Sequence, residues 1–281
     1  MGSRDSASEL CVSRQPEGPP PPPVVQKLRV RYAKRGPLRF TSHRDFARAF
    51  ERALRRAGVP MAYSAGFSPH PKISYAGAAP TGVASEAEYL EIGLAEAREP
   101  EAVRAELDAA LPPGLDVVEV VPAVPPGLAD RLEASRWRVV LPGADRAAVG
   151  AAVEAFLAAG SVPVERATKD GTRTVDARAV VVAVRLADPD STAPGVPEPV
   201  EAADCAILDL VMRHATPAVR PDDVLTALRH VSGLSTPVTP RVTRLAQGRL
   251  DVAAPAGPGG QGHPRLIDPL SPDADQTTSP H

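Results

Sequence analysis

The stretch KLRVRYAKRGPLRFTSHRDFARAFERALRRAGVPMAYSAGFSPHPKISY, Lys27 to Tyr75, determines the expected fold because its hydrophobic period changes twice. At its start, the apolar residues Leu28, Val30 and Tyr32 alternate with arginine and lysine, which is the period of a half-buried strand. Gly36 interrupts this alternation, and the segment after it resumes the same period. The start of the stretch therefore predicts a strand.

A helix is predicted next. Ser42 and Asp45 fit a capping box, in which the first side chain accepts a hydrogen bond from the third residue of the helix. Gly58 and Pro60 end the helix, since both residue types disfavour its continuation. Between these signals the apolar residues recur at helical spacing, and they define one buried face.

The opposite face of this helix carries only arginines over three turns. At about 100° per residue, the arginines fall within roughly 80° of one another, and only Glu51 lies beside them. A solvated helix face normally mixes both signs of charge. The members of this arginine stripe are Arg44, Arg48, Arg52 and Arg55.

Continued along the chain, the pattern predicts the order β-α-β-β-α-β, which favours an α+β, ferredoxin-like unit. A second, looser α+β unit of the same plan is expected to follow. The predicted divisions are a disordered Pro-rich arm (1–26), a basic ferredoxin-like unit (27–125), a second unit (134–250) with a Pro-rich insertion at 187–200, and a disordered tail (251–281).

Charge is distributed unevenly, although the whole chain of 281 residues has a formal net charge of only −2. Residues 27–75 contain 12 Lys and Arg but two acids, whereas residues 86–119 contain 10 acids and two arginines. Such asymmetry indicates a surface that meets a polyanion. The alternative is that the two segments neutralise each other within the fold.

Cysteine content and hydropathy restrict the class of protein. Two cysteines exclude a disulfide framework, a four-cysteine zinc site and a cysteine-held iron–sulfur cluster. No apolar run approaches the roughly 18 residues of a membrane span, and the N-terminus lacks the apolar core of a signal peptide. We therefore expect a cytoplasmic protein.

The segment GFSPHPKISY, Gly66 to Tyr75, combines cationic and aromatic side chains on a loop shaped by glycine and proline. This combination suits single-stranded nucleic acid, because cations bind phosphates and rings stack on bases. The alternative is a hairpin whose rings pack into the core. The predicted nucleic-acid-binding residues are Lys34, Arg35, Arg44, Arg48, Arg52, Arg55, Tyr63, Phe67, His70 and Lys72.

Three of the polar side chains could also carry catalysis. His43 or His70 could act as a general base on a 2′-hydroxyl, and Lys72 could stabilise the developing charge. The two histidines could bind a metal only with a third ligand, and none has suitable spacing. No metal site and no cofactor are therefore predicted, and whether the protein is an enzyme stays open.

The runs RYAKRGPLRFTSHRDFARAFERALRRAGVP (31–60), AYSAGFSPHPKISY (62–75) and PTGVASEAEYL (80–90) resemble a bacterial domain family of unknown function linked to radical SAM proteins. The likeness is specific over residues 31–94 and extends more weakly to about residue 247. Members occur fused to, or encoded beside, radical SAM proteins, and some lie near a ribonuclease gene. Since this chain lacks a C-x-x-x-C-x-x-C motif, the resemblance implies that any radical chemistry belongs to a partner.

The leading functional prediction is an RNA-binding accessory protein that holds tRNA or rRNA for a separate modifying or processing enzyme. The expected partners are RNA and a radical SAM enzyme or a ribonuclease, with no membrane. Two alternatives come from other classes of protein. One is a metal-independent endoribonuclease, and the other is a protein–protein adaptor whose acidic segment docks an enzyme.

Overall fold

The structure, a computed structural model, describes residues 22–168, 171–188, 205–251 and 264–272. Within these ranges, five α-helices and a large, mostly antiparallel sheet form a mixed α/β structure. This composition agrees with the predicted α+β class. The predicted disordered arm (1–26), Pro-rich insertion (187–200) and disordered tail (251–281) lie mostly outside the described residues.

The helices and strands follow one another in an order close to the predicted one. The helices are α1 (His43–Arg56), α2 (Pro100–Ala110), α3 (Arg146–Ala158), α4 (Ala177–Val180) and α5 (Pro221–Ser232). The strands are β1 (Gln26–Lys34), β2 (Ile73–Ala76), β3 (Ala84–Leu94), β4 (Leu115–Pro122), β5 (Ala134–Pro142), β6 (Pro163–Thr168), β7 (Gly171–Asp176), β8 (Val181–Leu186), β9 (Cys205–Arg213), β10 (Arg241–Leu250) and β11 (Leu266–Ile267).

The first half of the chain forms four strands in the spatial order β4-β1-β3-β2, and all three neighbouring pairs are antiparallel. Helices α1 and α2 connect β1 to β2 and β3 to β4, respectively. Their apolar faces pack on the sheet around Phe50, Leu90 and Leu107, each of which is fully buried. In this half, the face of α1 opposite its apolar residues therefore points away from the sheet.

The second half repeats this arrangement. Strands β10, β5, β9 and β8 lie in that spatial order with antiparallel neighbours. Helix α3 follows β5 and α5 follows β9, and both pack on a second core that contains Phe156 and Leu228. The hairpin formed by β6 and β7 is inserted between α3 and β8, and Val164 and Val175 anchor it to the same core.

One parallel contact joins the two halves into a continuous sheet. Thr243 and Arg244 of β10 pair with Ala84 and Ser85 of β3. The Arg244 side chain, which is 3 % exposed, contacts the buried Glu88 carboxylate and lies 3.3 Å from the Ser85 hydroxyl. A buried ion pair therefore reinforces the short strand pairing at this junction.

Three local predictions differ from the structure. Gly36–Phe40 forms a 3₁₀ helix and does not resume the strand, since Pro37 cannot donate to a ladder and Leu38 and Thr41 instead close turns onto residues 35 and 38. The apolar segment Ala177–Leu186 predicts a strand from residue 177, but β8 begins only at Val181, because the Asp176 side chain caps the short helix α4. In the predicted tail, Leu266–Ile267 pairs with β10.

Candidate nucleic-acid interface

Helix α1 begins as its capping signal predicts. Ser42 has an extended backbone, and its hydroxyl oxygen accepts a hydrogen bond from the Asp45 amide at 3.2 Å. The Ser42 hydroxyl also donates to the Asp45 carboxylate at 2.7 Å. The side chain of Asp45 is thereby occupied by the cap, as the capping interpretation expects.

The orientation of α1 leaves its arginine stripe in solvent. Phe46, Phe50, Ala53 and Leu54 are buried against the sheet, so the opposite side of the helix points outward. The stripe residues Arg44, Arg48, Arg52 and Arg55 are all exposed. In the described parts of the chain, none of the four makes a salt bridge to an acidic residue.

The basic residues in β1 and directly after it have a different role, because acids from neighbouring strands neutralise them. Arg29 donates from Nε to the Glu91 carboxylate at 2.9 Å and is 2 % exposed. Arg35 contacts both the Glu86 carboxylate and, at 2.7 Å, that of Asp116. The hydrogen bond with Glu86 is the main reason that the pKa of Arg35 is raised above its usual value.

Lys34 is withdrawn from the surface. It is 5 % exposed, and its ammonium donates to the Pro80 carbonyl at 3.3 Å. Burial lowers its pKa, while the nearby Glu88 carboxylate acts in the opposite direction. Contact between Lys34 and a phosphate would require rearrangement of the loop around Pro80, and Arg35 would have to leave its two carboxylates. The structure therefore separates Lys34 and Arg35 from the arginine stripe.

The aromatic and proline-rich segment that follows α1 forms a hairpin loop beside it. Tyr63 and Pro71 pair across its base. Within the loop, the Ser64 amide donates to the His70 carbonyl at 2.9 Å, and the His70 amide donates to the Ser64 hydroxyl at 3.0 Å. At the tip, the Phe67 ring is 78 % exposed. We call residues 63–71 the aromatic hairpin.

The aromatic hairpin lies beside the C-terminal half of α1. Glu51, Leu54 and Arg55 line one side of a shallow depression, and Tyr63 and Pro71 line the other. Arg55, the last member of the arginine stripe, therefore lies beside the base of the aromatic hairpin. Tyr63 is 37 % exposed there, so its ring contributes to both the depression and the solvent-facing surface.

At the other end of α1, His43 contacts a ring of the core. The centroids of His43 and Tyr75 lie 4.8 Å apart in an edge-to-face arrangement, and Tyr75 packs in the same way on Phe46. Burial, and secondarily the Glu51 carboxylate, raise the pKa of Tyr75 to about 12. Tyr75 is therefore partly buried and packed against the core between His43 and Phe46.

The three candidate catalytic side chains do not converge on a common partner among the described residues. His43 lies at the start of α1, His70 lies in the aromatic hairpin, and Lys72 follows the hairpin next to Gly93 of β3. All three are exposed. Among the described residues, no side-chain hydrogen bond or ion pair joins either histidine to Lys72 or to a carboxylate, so the endoribonuclease hypothesis remains a prediction.

Two arrangements were missed by sequence reasoning. The Arg39 guanidinium carbon lies 4.5 Å from the centroid of the Phe40 ring, which is 59 % exposed. The prediction of a strand here concealed this exposure, although a Gly-Pro start was a signal for a turn. The second is the hydrogen bond between Ser135 and His214, which are 79 residues apart and carry no shared sequence signal.

The described ranges contain neither a candidate cluster of metal ligands nor a helix suited to crossing a membrane. There, no group of three or more His, Cys, Asp or Glu side chains is arranged to hold a metal ion. Among the helices of the same ranges, none has both the length and the apolar character required to span a bilayer.

Fold and surface together define a mixed α/β protein with one large sheet and an arginine-striped helix beside an aromatic hairpin. The chain belongs to a family of uncharacterized proteins conserved in bacteria (DUF2344), whose model matches residues 27–221. The matched region includes the whole basic segment, the hairpin and most of the second half. A comparison with curated proteins finds no match.

Proposed function

We propose that this protein is an RNA-binding accessory protein whose α1 surface holds RNA for a separate enzyme. The observation that carries the proposal is the arginine stripe: four exposed guanidinium groups on 14 residues of helix, with no acidic partner among the described residues. Phosphate contacts from Lys and Arg supply most of the sequence-independent affinity for nucleic acid.

The basic segment contains arginines that pair with acids and arginines that do not, and this difference supports the proposal. Neutralisation within the fold accounts for Arg29 and Arg35, whose acidic partners lie on β3 and β4. It does not account for the four arginines of α1. Because keeping four like charges together costs electrostatic free energy, their unpaired state favours an external anion over a structural role.

The strand order supports a more specific proposal for the fold. In each half, the elements follow one another along the chain as β-α-β-β-α-β. If the four strands are numbered along the chain, their spatial order in the sheet is 4-1-3-2, with antiparallel neighbours. This order is the one expected of two ferredoxin-like units. Such sheets support many unrelated functions, so the functional argument depends on the surface alone.

We further propose that the partner enzyme is a radical SAM protein or a ribonuclease, and that the complex acts in the cytoplasm. This rests on the family resemblance and on the two-cysteine composition. Purification of the native protein with and without nuclease treatment checks it. A partner that remains after nuclease treatment is held by protein contacts, whereas one that is lost was held through RNA.

RNA binding is tested by filter-binding titrations of the full chain against bulk tRNA and fragmented rRNA over a range of salt concentrations. We expect a steep decrease of affinity with salt. The variant Arg44→Gln/Arg48→Gln/Arg52→Gln/Arg55→Gln should lose up to about 3 units of the log–log slope, at roughly 0.7–0.9 per phosphate contact. Its stability should hardly change, since Gln and Arg have similar helix propensities.

A matched control removes four charges from the second half: Arg146→Gln/Arg173→Gln/Arg185→Gln/Arg241→Gln. All four of these arginines are exposed. We expect this variant to bind RNA with nearly the affinity and slope of the wild type. Equal losses in the two variants would show that only the overall charge matters, and affinity that is independent of salt would exclude the proposal.

A further inference from the structure

We propose that the α1 surface binds an unpaired RNA segment that runs along the helix between two stacking positions: the Arg39–Phe40 pair at one end and Phe67 at the other. This inference rests on the proposed function and specifies the class of RNA. It adds Arg39 and Phe40 to the interface and predicts single-stranded over double-stranded RNA.

The first stacking position lies directly before α1. Phe40 is separated from the first helical residue by only Thr41 and Ser42, and its ring is 59 % exposed. The Arg39 guanidinium lies over the ring with 4.5 Å between its central carbon and the ring centroid. A guanidinium that lies over an aromatic ring offers a planar cation to a nucleobase, which is a common way to stack an unpaired base.

The Arg39–Phe40 pair rests on ordered backbone. An added Cβ at Gly82 would lie 3.8 Å from the Phe40 ring, so the glycine backbone packs against the ring. The Gly82 amide also donates to the Arg39 carbonyl at 2.8 Å. Both residues of the pair are thus held to the loop before β3, and little ordering entropy would be lost when a base binds.

The second stacking position is at the tip of the aromatic hairpin. Phe67 is the most exposed large hydrophobic side chain among the described residues. The strand-like bridge at the base, the two hydrogen bonds between Ser64 and His70, and prolines 69 and 71 hold the loop that carries it. A large exposed ring on a restrained loop contributes little to the core, whereas it is well suited to stack on a base.

The length of α1, which lies between the two positions, fits a short single strand. With a rise of 1.5 Å per residue, the 14 residues of α1 extend over about 21 Å. Four arginines along this length would meet about four phosphates, which is at the lower end of the site sizes of single-strand binders. In a duplex the bases are stacked on each other and would not be available to either ring.

The test compares a 12-nucleotide oligouridine with a 12-base-pair RNA duplex, using the full chain and three variants. These are Phe67→Ala, Arg39→Gln/Phe40→Ala, and Val238→Ala as the matched control, since Val238 is a half-exposed apolar residue of the second half. Loss of one stacked base should weaken oligouridine binding by about 5- to 100-fold. The salt slope should be unchanged in Phe67→Ala, because the ring carries no charge, and duplex binding should not change.

A gain-of-signal variant provides an independent readout. In Phe67→Trp the indole should keep oligouridine affinity, and its fluorescence should be quenched when a base stacks on it. The native Trp137 is buried and supplies a constant background. Quenching by oligouridine and not by the duplex is the expected result.

The outcomes separate this inference from the proposed function. If the duplex binds at least as well as oligouridine and the aromatic variants behave like Val238→Ala, while the arginine variant still loses affinity, the stacking inference is wrong and RNA binding stands. If neither RNA binds in a salt-dependent way, both fail. Stronger binding of oligouridine that depends on both rings supports the inference.

Discussion

Arg35, directly after β1, and Glu86 of β3 form a two-point ion pair: Nε of Arg35 donates to one carboxylate oxygen of Glu86 at 2.7 Å, and one terminal nitrogen contacts the other oxygen. The Glu86 side chain is only 7 % exposed, and Asp116 of β4 binds the remaining side of the guanidinium. This contact shows how the acidic and basic segments of the chain meet inside the fold, and it separates structural arginines from those of the α1 stripe.

We expect the variant Arg35→Gln to lose stability without losing RNA affinity. Removing the guanidinium deprives the buried Glu86 carboxylate of its main partner, at a cost of about 1–3 kcal/mol. Urea unfolding measures the cost, and filter binding at fixed salt measures the affinity of the folded variant. A loss of RNA affinity comparable to that of an α1 arginine would place Arg35 in the interface after all.

Arg244→Met should destabilise the junction of the two halves strongly. Arg244 and Glu88 are 3 % and 2 % exposed, and removal of one partner of a buried pair typically costs about 3–5 kcal/mol. In Arg244→Met/Glu88→Gln the buried negative charge is also removed, while the amide oxygen can still accept from the Ala79 amide. The double variant should therefore be less destabilised than the sum of the single variants, which a double-mutant cycle of unfolding free energies checks.

Ser42→Ala should reduce stability by about 1 kcal/mol, because the Asp45 amide loses its acceptor at the start of α1. Ser42→Thr retains a hydroxyl and serves as the control. The measurement is the urea midpoint of each variant. If the alanine and threonine variants unfold at the same midpoint, the hydroxyl cap does not contribute to the stability of α1.

Stability should also decrease as the pH falls through the titration of His214. Burial lowers the pKa of His214 below its usual value of 6.5, so the folded state favours the neutral ring. That contribution is complete above the unfolded pKa and is lost as the pH falls through the lower folded pKa. In the neutral ring, Nδ1 donates to the Leu132 carbonyl at 2.9 Å, and Nε2 accepts from Ser135 at 2.7 Å.

Urea midpoints at pH 7.5 and pH 5 give the corresponding measurement. The difference between them should be smaller in His214→Gln than in the wild type, and the exposed His230→Gln should keep the wild-type difference. If His214→Gln retains the full pH dependence, other groups are responsible for it.

Gly248→Ala should displace β11 from β10. An added Cβ at Gly248 would lie 2.0 Å from the Ile267 carbonyl oxygen, which is backbone and cannot rotate away as a side chain could. Gly160→Ala is the control, since nothing lies within 4 Å of its added Cβ. Hydrogen exchange of the Arg249 and Ile267 amides should become faster only in Gly248→Ala. Unchanged protection in that variant would contradict the pairing.

Much of the secondary structure could be predicted from the sequence, because it depends on residues that are close to one another along the chain. The alternation of Leu28, Val30 and Tyr32 identified β1, and the Ser42 cap identified the start of α1, since both depend on neighbours within a few residues. The exposure of the arginine stripe was also predictable, because apolar residues at helical spacing specify which face is buried. The strand prediction failed at Leu38, where proline chemistry outweighed a short alternation.

Only the tertiary structure decided which charges are available to a ligand. Arg35 and Arg55 belong to the same basic segment, but strand pairing brings Glu86 to Arg35, and no described acid forms a salt bridge with Arg55. Strand register joins residues about 50 positions apart and is set by the packing of the whole sheet, so no local pattern contains it. For the same reason, only the tertiary structure shows that the aromatic hairpin lies beside α1 and that Phe40 is exposed.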